Sequence, residues 1–497
     1  MSDKLKQKTR ALEPKAPEQR VSVKKNAILN MIKQLCVIVF PIITFPYVSR
    51  VLGAENYGKV DWSRSWADYM TMIAGLGITN YAIREGAKLR GEKKALNTFV
   101  NELFTLNICS TVIAYLLICA VSLFYGKLAG YLPLVLTLSL ATVFTTLGTD
   151  WVNSIYEDYA YITLRYIVCS LISLALLFIF VRRREDYGIY AFTNVSGTVL
   201  ANAFNFYYIR KKWDIHPRFK LTPEVKKHLG VVLIMFSTAV ATKIYITSDV
   251  TILGIIKDDA TVGIYGAATK IYSLVKHLFN AMLIVAIPRI SAEIKKGEFE
   301  KIGQQLNKVL NALLIIALPG TVGLITLREP IIYAISGEEF LPAKDALLIL
   351  SVALLFATLA CFFINVIMIP YGMEKKVLKY TVISAVLNIV LNIILIPFLS
   401  EKAAALTTLI SEALLFAAGF LETRKLVKLK CLKTAIVSLV GCAFIAVCCI
   451  LTNEFVANRF LALVVGMAGS VILYGIVMLA LYRKELFALA GIRRKKG

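Results

Sequence analysis

The chain has 497 residues, of which 58% are hydrophobic and 18% charged, with a mean hydropathy of +0.69. Soluble domains carry about 25% charged residues, so a soluble globular protein is excluded; apolar stretches of roughly 20 residues, each able to cross about 30 Å of hydrocarbon, recur to the C-terminus. A formal charge of +24 could by itself serve nucleic acid, but the positive residues sit in short loops and no basic, aromatic-interleaved module exists, so nucleic-acid binding is set aside.

Residues 1–25 are polar, carry eight Lys/Arg with Pro14 and Pro17, and lack the apolar core and cleavage site of a signal peptide. They read as a disordered cytoplasmic tail in reach of anionic lipid. Fourteen spans follow, centred near Val37, Met72, Ile113, Leu140, Ser170, Thr198, Thr238, Leu274, Leu314, Leu355, Ser384, Leu409, Leu439 and Ser470. Alternate connections, counted from the N-terminal tail, hold 38 Lys/Arg against 11 in the others, which places both termini in the cytoplasm. Arg182–Arg184 runs against that bias, with no account beyond headgroup contact. Nine cysteines lie mostly within apolar runs without a CxxC pair, and His216, His228 and His277 are scattered. Neither a zinc site nor a disulfide framework follows.

Span one carries Pro41 and Pro46, which predict two kinks before the chain leaves through Arg50 and Gly53. Carbonyls freed in lipid need partners, so a twice-kinked helix reads either as a cavity wall or as a bend its neighbours tolerate. Val51-Leu52-Gly53, then Tyr57-Gly58 opening span two, is echoed six spans later by Ile252-Leu253-Gly254, then Val262-Gly263 opening span eight. An even spacing gives two repeats of one orientation, related about the membrane normal, with a path between them. The expected architecture is an all-α integral membrane protein of about 14 transmembrane helices. Two pseudo-symmetric six-helix bundles, residues 26–212 and 229–425, flank a linker at 213–228; helices 13 and 14 fill 426–485, and a basic cytoplasmic tail fills 486–497.

Phe40-Pro41, Thr44, Pro46-Tyr47, Arg50, Leu52-Gly53 and Tyr57-Gly58 resemble the first-helix signature of the Wzx-type oligosaccharide flippases, polysaccharide transporters of the multidrug/oligosaccharidyl-lipid/polysaccharide (MOP) superfamily. The likeness extends over nearly the whole chain. Gly148-Thr149-Asp150-Trp151, Glu157-Asp158 and Arg165 are similar to a further family pattern, except that Ser154-Ile155-Tyr156 stands where a glycine is common.

Ionisable residues inside spans mark a pathway by default. Asp61, Arg64 and Asp68 share a face of span two, either as a self-neutralised ladder or as a cavity lining. Lys270, Ser273, His277 and Asn280 share a face of span eight, with Lys276 turned away from it. Span seven holds Lys243 and Asp249, the latter a cap, an ion-pair partner or an ion-coupling acid. Lys33 and Arg165 lie near enough to the cytoplasmic surface to snorkel. Ser384, Asn388 and Asn392 line span eleven, where such residues bridge helices more often than they bind ligand. Glu412 is a lone buried acid and a candidate proton carrier.

These residues assign substrate binding to Arg64, Lys270, Lys243, Arg165, His277, Asn280, Asn388 and Asn392. Ion coupling falls to Asp61, Asp68, Asp249 and Glu412, and gating to Pro41, Pro46, Arg50 and Gly53. No long connection offers a catalytic domain and no phosphate loop exists, so an enzyme is not expected. The resemblance implies a flippase that moves a polyprenyl-diphosphate-linked oligosaccharide across a bacterial cytoplasmic membrane by alternating access. It also implies coupling to a proton or sodium gradient, with no other cofactor. The partners expected are that substrate, membrane lipids and other polysaccharide assembly proteins, and the chain is expected to act as a monomer. Rival readings are a cation-exporting multidrug antiporter, a flippase for the peptidoglycan precursor and, from another class, an integral-membrane polymerase.

Overall fold

Backbone in lipid must satisfy its own hydrogen bonds, and apolar stretches of this length do so as helices. The computed structural model describes residues 23–296, 299–427 and 429–483, and among these no strand occurs. In chain order the helices are α1 (Val23–Gly75), α2 (Ile78–Lys88), α3 (Lys93–Phe124), α4 (Gly126–Gly148), α5 (Trp151–Ile155), α6 (Tyr159–Phe180), α7 (Tyr187–Lys212) and α8 (Val225–Ile256). They continue with α9 (Asp259–Lys296), α10 (Phe299–Thr326), α11 (Arg328–Ser336), α12 (Ala343–Cys361), α13 (Glu374–Thr423), α14 (Leu432–Phe455) and α15 (Arg459–Leu481). The two tails foreseen in the sequence lie almost wholly outside the described residues.

Eleven of the helical stretches are long and apolar enough to cross a membrane. Two are double spans, for α1 breaks at Gly53 (φ 72°, ψ 175°) and α13 at Ser400 (φ 53°, ψ −131°). Dividing both gives thirteen, and α7 completes the fourteen foreseen. It falls short on hydropathy because Thr193, Ser196, Asn202 and Asn205 are buried on its inner face.

The break in α1 falls at Gly53, at the turn expected after Arg50, while Pro41 and Pro46 keep helical dihedrals. Positive φ without a Cβ penalty is what glycine supplies, and here it also makes room, because a Cβ on Gly53 would lie 2.9 Å from the Glu339 carboxylate. Span two accordingly runs from Gly53 to Gly75, so its middle lies near Arg64 rather than Met72. Arg64 is eleven residues beyond Gly53 and Lys270 eleven beyond Asp259. At 1.5 Å per residue each sits about 16 Å along its helix, close to mid-bilayer.

The repeat noticed in the sequence is where the halves meet. A Cβ on Gly58 would come within 1.8 Å of the Asp259 carbonyl oxygen, and one on Gly263 within 1.9 Å of the Ala54 carbonyl oxygen. The two contacts are reciprocal: α1 beyond its break and α9 cross backbone to backbone. Beside them Trp62 is fully buried, donating from its indole nitrogen to the Thr251 carbonyl at 3.2 Å. α14 and α15 pack against α10 and α11, to one side of the crossing helices.

The corner between α4 and α6 carries the Trp…Glu-Asp…Arg pattern. Asn153 donates to Asn205, which donates to the Gly148 carbonyl at 2.6 Å. Asp158 caps α6 and accepts from Tyr208 at 2.7 Å and Lys212 at 2.6 Å. The left-handed residue that a glycine would supply falls instead on Glu157 (φ 57°), held by an ion pair to Arg90 at 2.9 Å.

Candidate functional site

A cavity of about 550 Å³ opens among the first six spans. One wall is the first part of α1, where Lys33, Val37, Phe40, Pro41 and Thr44 recur at helical spacing. On the other face of that helix Leu35, Val39, Ile42 and Ile43 are exposed, so α1 stands between cavity and lipid. Tyr57 and Arg64 enter from beyond the break; Arg165, Tyr166 and Ser170 come from α6. Tyr190, Asn194, Thr198 and Asn202 descend α7 at four-residue intervals. Among the described residues, Lys270 of α9 is the single lining residue from the second six spans. The chamber expected between two bundles is therefore walled almost entirely by the first.

Four cations, Lys33, Arg64, Arg165 and Lys270, line this space against one acid, Asp150. Arg165 is 9% exposed and donates from Nη2 to Asp150 at 2.5 Å, while its Nε and Nη1 have no hydrogen-bond partner. An unpaired buried donor is costly unless something fills the site, and a phosphate oxygen is one of the acceptors that a guanidinium fork fits. Arg64 reaches only the Tyr190 hydroxyl, at 3.5 Å, and its Nε is likewise unpartnered. Asp61 interacts electrostatically with both Arg64 and Lys270. Lys33 lies 5.9 Å over the Tyr166 ring.

Other residues assigned from the sequence lie elsewhere. Arg165 reaches back along α6 to Asp150 at the corner between α4 and α6. Lys243 pairs with Asp68 at 2.8 Å, so Asp68 belongs to a tie between the halves rather than to a ladder within span two. His277 is exposed and Asn280 half-buried, and neither lines the cavity. They share a stripe with Lys270 but stand about 10 to 15 Å farther along α9. Asn388 and Asn392 are buried around Asp249, which accepts from Asn392 at 2.6 Å, Thr408 at 2.6 Å and Tyr265 at 2.9 Å. They bridge helices away from the cavity. Glu412 is not alone, because Lys276 pairs with it at 2.6 Å; residues 136 apart in sequence carry no mutual signal. The α7 stripe was overlooked, although its four-residue polar period is visible in the sequence.

The end of the molecule near Gly53 is tied shut. Arg50 donates to the carbonyls of Tyr333 and Ala334, at 3.3 and 2.6 Å, at the C-terminus of α11 where a cation is favoured. Glu339 accepts from the Ala54 N–H at 2.9 Å and from Arg184 at 3.0 Å. Lys127 reaches Asp259 at 3.3 Å and the Gly254 carbonyl at 2.7 Å. Arg184, anomalous in the charge count, thus has a partner in the second half.

The polysaccharide biosynthesis protein family model matches residues 23–293, and a MatE model matches 234–394. Among relatives, a putative O-antigen transporter of Escherichia coli (strain K12) is 24% identical over 397 residues, covering 80% of this chain and 95% of its own length. One of Shigella dysenteriae is 22% identical, covering 74% and 91%. Among solved structures, the lipid II flippase MurJ in an inward closed conformation superposes with a TM-score of 0.74 at 17% identity, over 93% of this chain and 99% of that one. An inward-facing multidrug resistance MATE family transporter of the MOP superfamily gives 0.60 at 16% identity, over 80% and 97%. Helices, breaks and family match agree with the first-helix signature: the chain belongs to the polysaccharide biosynthesis protein family, as a multi-pass Wzx-type membrane transporter of the MOP superfamily.

Proposed function

We propose that the protein moves a polyprenyl-diphosphate-linked oligosaccharide repeat unit from the inner to the outer leaflet of a bacterial cytoplasmic membrane. The product serves O-antigen, capsule or exopolysaccharide assembly. The observation that carries this reading is the cavity charge: four cations against one acid, with unpartnered guanidinium nitrogens on Arg64 and Arg165. Such groups answer a diphosphate. The Tyr, Asn, Thr and Ser lining answers the sugars, and α1 leaves the polyprenyl tail one helix away from lipid. A cavity of this charge does not suit export of cationic drugs. The lipid-linked peptidoglycan precursor carries the same diphosphate and is separated by its sugars.

With both termini cytoplasmic, the tied Gly53 end faces outward, and rocking of the halves about the Gly58–Gly263 crossing alternates access. Coupling is to an ion gradient. Around Asp249 every amide oxygen already accepts a hydrogen bond, Asn388 from Ser248 and Asn392 from Thr407. At Glu412 the counter-ion position is held by Lys276. Neither arrangement fits a sodium ion, and a proton is the coupling ion proposed. The protein works as a monomer in contact with other polysaccharide assembly proteins.

Arg64→Ala and Lys270→Ala proteins are expected to insert normally yet leave lipid-linked repeats in the inner leaflet, with export reduced at least about tenfold. One lost charge-assisted hydrogen bond, about 1.5–3 kcal/mol, is enough for that. Leaflet-specific access of a sugar-oxidising reagent to the repeat in spheroplasts measures it, and full export by both proteins would take these residues off the path. Repeating the assay with the peptidoglycan precursor separates the two diphosphate substrates.

A further inference from the structure

The cations of the cavity fall into two groups. Arg64 reaches the Tyr190 hydroxyl and interacts with Asp61, which also interacts with Lys270. Arg165 is held at Asp150, and Lys33 lies over the ring of the adjacent Tyr166. Helix α7 sets the distance between the groups. Tyr190 stands at one end of its polar stripe and Asn202 at the other, twelve residues on, or about 18 Å. Asn202 packs against Gly148, two residues before Asp150: a Cβ on Gly148 would lie 2.5 Å from the Asn202 Oδ1. On the facing wall α6 lines the cavity from Ile162 to Leu177, about 22 Å. Both lengths are several times that of a diphosphate, so one ligand cannot sit in both groups at once.

We propose that the cavity holds two stations for one diphosphate: a receiving station of Arg165 and Lys33 toward the cytoplasmic end, and a transfer station of Arg64 and Lys270 near mid-bilayer. This rests on the function proposed above and deepens it. Each station sets two cations against one acid, Asp150 at the first and Asp61 at the second. A surplus of one positive charge draws the diphosphate in without trapping it, as passage between successive sites requires. The receiving station is the stronger in this conformation, because Arg165 has two unpartnered nitrogens and Arg64 one. Beside Arg165 the buried Asn202 Oδ1 is also unpartnered, an acceptor for a hydroxyl of the first sugar. Between the stations Asn194 and Thr198 of α7 face Ser170 and Ser173 of α6 across the cavity and supply donors along the way. A ligand shifts a conformational equilibrium only through contacts that differ between its states. At the receiving station the diphosphate touches the first six spans alone; at Lys270 it touches both halves. The halves therefore rock after the transfer step and not on first binding.

The test compares affinity, position and export in two variants of the full chain. Calorimetry reads affinity for undecaprenyl diphosphate, and the leaflet assay reads export. Position is read with a polyprenyl diphosphate carrying a photoreactive group beside its phosphates, its adducts mapped by mass spectrometry. Arg64→Ala/Lys270→Ala is expected to bind within about threefold of wild type, with adducts on α6 near Arg165, while export falls at least about tenfold. Arg165→Ala is expected to lose at least about a hundredfold in affinity, and its remaining adducts gather on α7 near Tyr190. Should the double variant fail to fold, Lys270→Gln alone takes its place. If both variants lose affinity alike and their adducts fall in one place, a single station spans the cavity and the relay is wrong, although the diphosphate reading stands. Full export by Arg64→Ala/Lys270→Ala overturns the relay as well. Wild-type binding that does not depend on the phosphates overturns both.

Discussion

Gly263→Leu is expected to abolish export while leaving the protein inserted in the membrane. The Cβ of any larger residue would sit 1.9 Å from the Ala54 carbonyl oxygen, a backbone atom with nowhere to go. The reciprocal change, Gly58→Leu, would meet the Asp259 carbonyl at 1.8 Å. Overpacking in a tight interior costs about 1–3 kcal/mol where side chains can adjust. Here two helix backbones must separate, so α1 and α9 cannot cross and the ties of Arg50, Arg184 and Lys127 are strained together. Hydrogen–deuterium exchange reports this directly: amides at 54–62 and 259–266 should exchange faster in either variant than in wild type. Unchanged protection together with full export would show that the crossing is not the pivot.

Arg165→Ala carries the second large effect. It removes a guanidinium with two unpartnered nitrogens and leaves Asp150 facing the ligand without its counter-charge. Two charge-assisted hydrogen bonds at about 1.5–3 kcal/mol each amount to a loss of roughly 10²–10⁴ in diphosphate affinity. Arg165→Lys should recover only part, since an ammonium keeps the charge but not the fork. Arg165→Ala/Asp150→Ala should bind better than Arg165→Ala alone, because the repelling carboxylate is gone. If that double variant bound no better, Asp150 would not be facing the phosphate.

Much of this was legible in the chain because membrane spans obey few rules. Apolar length reveals the spans, and the Tyr57-Gly58/Val262-Gly263 echo reveals the repeat, although not that its glycines form the crossing. Arg64 and Lys270 were found by their cost in lipid, which side-chain type alone reveals. What the sequence hid was pairing across distance. Lys276 with Glu412, Lys243 with Asp68 and Arg184 with Glu339 each join residues more than a hundred positions apart, and no periodicity links them. A helical face also says nothing about how far along it a cavity reaches, so His277 and Asn280 were grouped with Lys270 although they lie beyond it. Gly53 is the break because φ near +72° ends a helix, whereas Pro41 and Pro46 keep helical dihedrals.

Arg64, Arg165 and Lys270 are proposed to hold a diphosphate in the cavity of the first six spans. Binding of undecaprenyl diphosphate and of undecaprenol, which has no phosphate, can be compared by native mass spectrometry for wild type and for Arg64→Ala/Arg165→Ala/Lys270→Ala. Wild type should prefer the diphosphate by at least about a hundredfold, near 2.7 kcal/mol, and the triple variant should lose that preference while still binding undecaprenol. Equal affinity of wild type for the two lipids, or a preference undiminished in the triple variant, would contradict it.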